Sequence, residues 1–107
     1  MCIRDSSKWL VDKGARHLVL MGRRSPSAKA QTEITQLEEL GVKVSVQLAD
    51  VSCYQEVSQM METIEAKLPR LRGVIHTAGV LDDGLMQNMS WEQFTKVMAP
   101  KVQGSWY

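Results

Sequence analysis

The residues best placed by type to do chemistry lie between Arg72 and Asp83, in the stretch RGVIHTAGVLDD. His76 can exchange a proton near neutral pH. Asp82 and Asp83 are adjacent carboxylates, which could act as acid and base or hold a cation. Two carboxylates alone are a weak metal signal, and on an exposed turn they are simply solvated. Between these groups, Ala78-Gly79 lets a ligand approach the main chain, because neither residue has a side chain large enough to keep it away. Outside this stretch, a basic pair (Arg23-Arg24), an Asp50-Val51 step and Lys101 stand at the ends of ordered segments. From charge alone each of these is an ordinary surface residue, and His76 reads best as a histidine fixing a strand end by hydrogen bonds.

The totals narrow the classes. At 107 residues the chain suffices for one small domain and not for two. The net charge of +1, with basic residues spread out, leaves no electrostatic footprint for nucleic acid. No apolar run approaches the length of a membrane span, and no basic-then-apolar leader opens the sequence. Cys2 and Cys53 make neither a disulfide framework nor a metal-ligand cluster. The expectation is a reduced, soluble, cytoplasmic chain without nucleic-acid or membrane partners.

Met1 to Ser6 (MCIRDS) fits nothing that follows and is set aside as a foreign or misread start, leaving residues 7–107 as the domain. Lys8 to Lys13 reads as the tail of a helix with Gly14 as its stop. His17-Leu18-Val19-Leu20-Met21-Gly22 is a continuous apolar run, as for a strand covered on both faces. Ser25-Pro26 is expected to open a helix with Ala30, Ile34, Leu37 and Leu40 inward and Gly41 closing it. Val42 to Leu48 alternates apolar and polar residues, the pattern of a strand with one wet face at a sheet edge. Ser52 and Gln55 have capping-box spacing for a helix whose apolar positions are Val57, Met60, Met61, Ile64 and Leu68. Gly73 to Thr77 reads as a third strand. Ser90 and Gln93 then start a last helix, with Phe94, Val97, Met98, Val102 and Trp106 on its buried side and a bend at Pro100.

Strand, helix, strand, helix, strand is the parallel-sheet pattern of an α/β protein. It fits a Rossmann-like, doubly wound sheet of order 3-2-1-4, of which this chain supplies strands two, three and four. The first strand and the distal strands are lacking, and no G-x-G-x-x-G phosphate loop is present. In such a sheet ligands sit outside the carboxyl ends of the strands. The turn after the His17–Gly22 run then meets the adenosine ribose, where a carboxylate suits NAD and a cation suits the 2′-phosphate of NADP. With Arg23 and Arg24 there and no acidic residue before Ala28, NADPH is the expected cofactor.

Val74-Ile75-His76-Thr77-Ala78-Gly79-Val80-Leu81-Asp82-Asp83 resembles the middle of a ketoreductase domain from a modular (type I) polyketide synthase. That domain belongs to the short-chain dehydrogenase/reductase superfamily and is close to the ketoreductase of animal-type fatty acid synthase. The likeness runs from about Trp9 to Tyr107 and covers only part of the family's domain. His76-Thr77-Ala78-Gly79 departs from the Asn-Asn-Ala-Gly of the wider superfamily and is similar to the His-Ala-Ala-Gly of polyketide ketoreductases.

The resemblance implies reduction of a β-ketoacyl group, tethered to an acyl carrier protein, to a β-hydroxyacyl group, with NADPH giving the hydride. It implies Arg23 at the cofactor's 2′-phosphate, the Asp50 side chain and Val51 backbone at adenine, and the Ala78 and Gly79 backbone at the nicotinamide ribose. It makes Asp83, in Leu81-Asp82-Asp83, a substrate-steering position of the B-type stereochemical class. It makes Lys101, in Pro100-Lys101-Val102-Gln103-Gly104, the catalytic lysine of a Pro-Lys-Val-x-Gly motif. The family's serine and tyrosine would lie beyond Tyr107, so the fragment is expected to be inactive without the remainder of the ketoreductase domain and its synthase module. The alternatives are a fragment of a free-standing reductase of the same superfamily, acting on a soluble ketone, and a non-catalytic structural Rossmann half.

Overall fold

A computed structural model describes residues 3–107. These form two compact units, one ending at Leu48 and one running from Ala49 to Tyr107.

The first unit contains α1 (Ile3–Asp12), β1 (His17–Gly22), α2 (Ala28–Glu39) and β2 (Lys43–Leu48). Met1 and Cys2, part of the stretch set aside, lie outside the described residues, whereas α1 runs through Ile3 to Ser6, and Ser6 and Ser7 are buried. Both helices end on a glycine in the left-handed region, Gly14 at φ 105° and Gly41 at φ 86°. Each makes the paired closing bonds that satisfy the last carbonyls of a helix. Gly14 N–H donates to Val11 O and Ala15 N–H to Leu10 O, both at 3.0 Å. Gly41 N–H donates to Glu38 O at 3.0 Å and Val42 N–H to Leu37 O at 3.3 Å. The second closure also brings Leu37 against Val42, and with Val11 these form the buried core, flanked by Leu18 and Val44.

Two expectations shift slightly here. Ser27, not Ser25, caps α2, accepting from Ala30 N–H at 3.2 Å. Leu40 is exposed, because as the C-cap residue it has already rotated off the buried face.

β1 and β2 pair in parallel, in register from His17↔Lys43 to Gly22↔Leu48. This is the adjacency of second and third strands in the expected order, and α2 supplies the crossover. Among the described residues the sheet has these two strands. Gly73–Thr77 does not join a ladder, and Val74 and Ile75 are 77% and 54% exposed. The reason is physical: a strand is defined by a neighbour's amides and carbonyls, and the strand that would pair with this run is not in the sequence.

The second unit contains α3 (Tyr54–Lys67), a single 3-10 turn (Met86–Asn88), α4 (Trp91–Lys101) and α5 (Gln103–Trp106). Ser90 and Gln93 form the expected capping box, with Gln93 N–H on Ser90 Oγ at 3.2 Å and Ser90 N–H on Gln93 Oε1 at 2.9 Å. Ser52 and Gln55 do not. Cys53 occupies the N-cap of α3 without a side-chain cap, because Ser52 is drawn back to Asp50. Pro100 interrupts the last helix as expected: α4 ends at Lys101, Val102 is a turn, and α5 follows. The inward residues of this unit are Ala49, Val57, Ile64, Pro100 and Gly104. Phe94, Met98, Val102 and Trp106, expected inside, are exposed.

Among the described residues no large side chain is fully enclosed, while Leu81, Leu85, Met86 and Trp91 are also exposed. So much apolar surface against so small a core leaves little to offset chain entropy. The purified 107-residue chain is therefore expected to unfold over a broad urea range by circular dichroism. A steep two-state transition from a monomer would contradict this.

Candidate active site

In the first unit, Arg23 and Arg24 form a bend directly after β1. The strand ends at Gly22, so the chain leaves the sheet at its carboxyl end, and both guanidinium groups are exposed. Neither has a hydrogen bond or ion pair to another described residue. This leaves their donors open to an anion.

In the second unit, Asp50 organises the turn after β2. Its Oδ1 accepts from Ser52 N–H at 2.9 Å and from Ser52 Oγ at 2.6 Å, and its carbonyl accepts from Cys53 N–H at 3.0 Å. Its own N–H donates to Glu56 Oε2 at 2.9 Å, tying the turn to the first turn of α3. The side chain thus fixes the conformation of Val51, the adjoining position singled out in the sequence. Val51 is in turn packed by a glycine. A Cβ built on Gly104 would lie 2.9 Å from Val51 Cγ1 and 3.0 Å from Val51 O. Beside this contact Tyr107 meets Tyr54 edge-on, with ring centroids 5.5 Å apart. Gly104 was expected only as the end of a motif. Its packing role could have been suspected from a glycine inside a helical pattern, where it costs stability unless close approach demands it.

Lys101, at the end of α4, turns back onto the His76–Gly79 bend. Its Nζ donates to the His76 carbonyl at 3.3 Å, and its Cε lies 3.7 Å from the point where a Gly79 Cβ would be. Nothing else approaches that point within 4 Å, so the bend presents open backbone beside the ammonium group. His76 Nε2 is 2.8 Å from the Pro100 carbonyl, so this histidine makes an anchoring hydrogen bond as expected, although the segment it anchors is not a strand. His76, Gly79 and Lys101 are thus brought together, although 25 residues separate the first from the last.

The two carboxylates differ. Asp82 Oδ1 accepts from Gln93 Nε2 at 3.2 Å and Oδ2 lies 3.7 Å from Lys96 Nζ, so α4 holds this side chain from two successive turns. Asp83 is exposed and has no such partner among the described residues. By residue type the two acids are equal and the family resemblance singles out Asp83; the fold holds Asp82 and leaves Asp83 exposed.

The family is shown by a family model, by relatives in sequence and by solved structures. The KR domain family model matches residues 4–107. A highly reducing polyketide synthase, PKS6, of Gibberella zeae is 40% identical over 99 residues, which is 92% of this chain and 4% of that protein. A ketoreductase domain from the bacillaene assembly line superposes with a TM-score of 0.90 at 31% identity, covering 96% of this chain and 25% of that one. A structure of A-type ketoreductases from a modular polyketide synthase superposes at 0.83 with 29% identity, over 95% of this chain and 22% of that one. The chain therefore spans a small fraction of the synthase and about a quarter of each solved ketoreductase. With a parallel β-α-β unit, a family match over residues 4–107 and solved ketoreductase domains as structural neighbours, the chain belongs to the KR (ketoreductase) domain family of polyketide synthases, as a part of that domain.

Proposed function

We propose that this chain is the cofactor-binding part of an NADPH-dependent β-ketoacyl reductase domain of a polyketide synthase, acting on a substrate tethered to an acyl carrier protein. The observation that carries the reading is the Lys101 ammonium held on the His76 carbonyl, with its stem beside the exposed Gly79. Bound there, the nicotinamide supplies the hydride. Lys101 would hold the nicotinamide ribose and place positive charge where it eases proton delivery through the domain's tyrosine.

The rest of the cofactor is assigned residue by residue within each unit. Arg23 and Arg24 offer unpaired cations to a 2′-phosphate. The Asp50 turn presents the Val51 backbone to adenine. Ala78 and Gly79 leave room for the ribose, since a side chain at Gly79 would fill the space next to Lys101. Asp83, unlike Asp82, has a carboxylate available to steer the acyl chain, in the B-type sense. The phosphate loop and the serine and tyrosine come from the remainder of the domain, so the fragment alone is inactive.

The test is reduction of a small β-ketothioester by the complete domain containing this sequence. Turnover with NADPH far above that with NADH, giving the B-type hydroxy product, is expected. Arg23→Ser together with Arg24→Ser should raise KM for NADPH by about tenfold, the loss of roughly one charge-assisted bond, and leave NADH unaffected. Equal use of both cofactors by the unaltered domain would overturn the cofactor assignment.

A further inference from the structure

His76 and the Pro100–Lys101 pair grip each other at two points. The ring Nε2 of His76 meets the Pro100 carbonyl at 2.8 Å, and the His76 carbonyl receives Lys101 Nζ at 3.3 Å. A carbonyl can only accept, so Nε2 carries the proton and donates. The Pro100 carbonyl faces the ring where the helix breaks: α4 stops at Lys101, α5 starts at Gln103, and among the described residues no backbone amide bridges from α5 to the Pro100 carbonyl. Pro100 is buried and His76 half-buried, whereas Lys101 is exposed. A lysine on an exposed helix end has a flexible four-carbon stem with many rotamers. Here its backbone origin is fixed by the imidazole and its ammonium tip by the carbonyl of the same residue, with the stem laid along Gly79.

We propose that His76 is a positioning residue for Lys101, setting both where the lysine starts and where its charge ends. This rests on the reading of Lys101 given above. His76 takes no part in proton transfer. Its ring replaces the missing helical bond at Pro100, and that bond keeps the ammonium group beside the cofactor ribose.

The experiment uses the complete domain with His76→Phe, which keeps a ring of similar bulk without the donor, and His76→Gln, whose Nε2 can reach the same carbonyl. His76→Phe is expected to lower kcat about five- to tenfold with KM for the ketothioester little changed, and His76→Gln to restore most of it. Acetic anhydride labelling of Lys101 at fixed pH should be faster in His76→Phe and unchanged in His76→Gln. In a Lys101→Ala background, His76→Phe should cost nothing further, since the two act as one unit. Unaltered kcat and labelling in His76→Phe, or additive losses in the double variant, would overturn the proposal. If His76→Phe does not fold, a tenfold loss in His76→Gln overturns it and near-parental turnover with parental labelling supports it. Full turnover of Lys101→Ala alone would instead remove Lys101 from the mechanism, and His76 as its positioner with it. Impaired Lys101→Ala beside unimpaired His76→Phe sinks only the role of His76.

Discussion

Lys101→Ala in the complete domain is expected to lower kcat for β-ketothioester reduction by about 10²- to 10³-fold. The magnitude follows from removing a preorganised charge from a site where charge develops. Very little of the loss should come from the fold. Lys101 is exposed, its one hydrogen bond among the described residues is to a carbonyl at 3.3 Å, and exposed substitutions of this kind usually change stability by about 0.5 kcal/mol or less. The thermal midpoint should therefore stay within a degree or two while turnover collapses. Lys101→Arg separates charge from geometry. Arginine keeps the positive charge but carries a planar fork, which suits a bidentate anion better than a single carbonyl beside Gly79. It should recover part of the activity, not all of it. Steady-state kinetics with NADPH reads both variants, and unchanged turnover of Lys101→Ala would end the assignment of this lysine.

What could be read in the sequence divides by distance along the chain. The Ser90–Gln93 box, the glycine stops at Gly14 and Gly41 and the break after Pro100 all depend on residues within a turn of each other, and all are present. So is the pairing of β1 with β2, which the crossover through α2 dictates. Features that depend on a distant partner leave a weaker trace in the sequence. Gly73–Thr77 has the composition of a strand but no neighbour to make it one. Phe94, Met98 and Val102 keep the spacing of a buried face, yet they are 43%, 39% and 54% exposed. Ser52 has capping spacing, but a nearer acceptor on Asp50 takes both its N–H and its hydroxyl.

The candidate site divides in the same way. The assignment of Lys101 rests on motif likeness, and from its residue type alone it is one more surface lysine. Its contact with the His76 carbonyl, and the holding of Asp82 by Gln93, depend on side chains 11 to 25 residues apart. Such separations carry no periodic signal that a sequence could display.

The second large effect concerns Gly104, and two opposing terms decide its sign. Gly104→Ala removes the helix-former penalty of glycine, a gain of about 1 kcal/mol in a helix interior and less in a helix as short as α5. Against this, the new methyl would stand 2.9 Å and 3.0 Å from the two Val51 methyls and 3.0 Å from the Val51 carbonyl. Valine is stiff about its first side-chain bond, so its methyls cannot both swing clear. The carbonyl belongs to the turn that Asp50 and Ser52 hold shut. Overpacking of this kind costs about 1–3 kcal/mol, and it outweighs the gain in propensity. Gly104→Ala should therefore destabilise the complete domain by about 1–2 kcal/mol, read as a lower urea midpoint at unchanged slope. Val51→Ala, introduced alongside, removes the methyl clash but not the carbonyl contact, so it should recover part of the loss as a favourable coupling in the double-mutant cycle. Because the displaced group is the Val51 backbone, KM for NADPH should rise in Gly104→Ala more than KM for the ketothioester. A Gly104→Ala domain as stable as its parent would mean that α5 does not sit against the Asp50 turn. The glycine of the Pro-Lys-Val-x-Gly motif would then need another explanation.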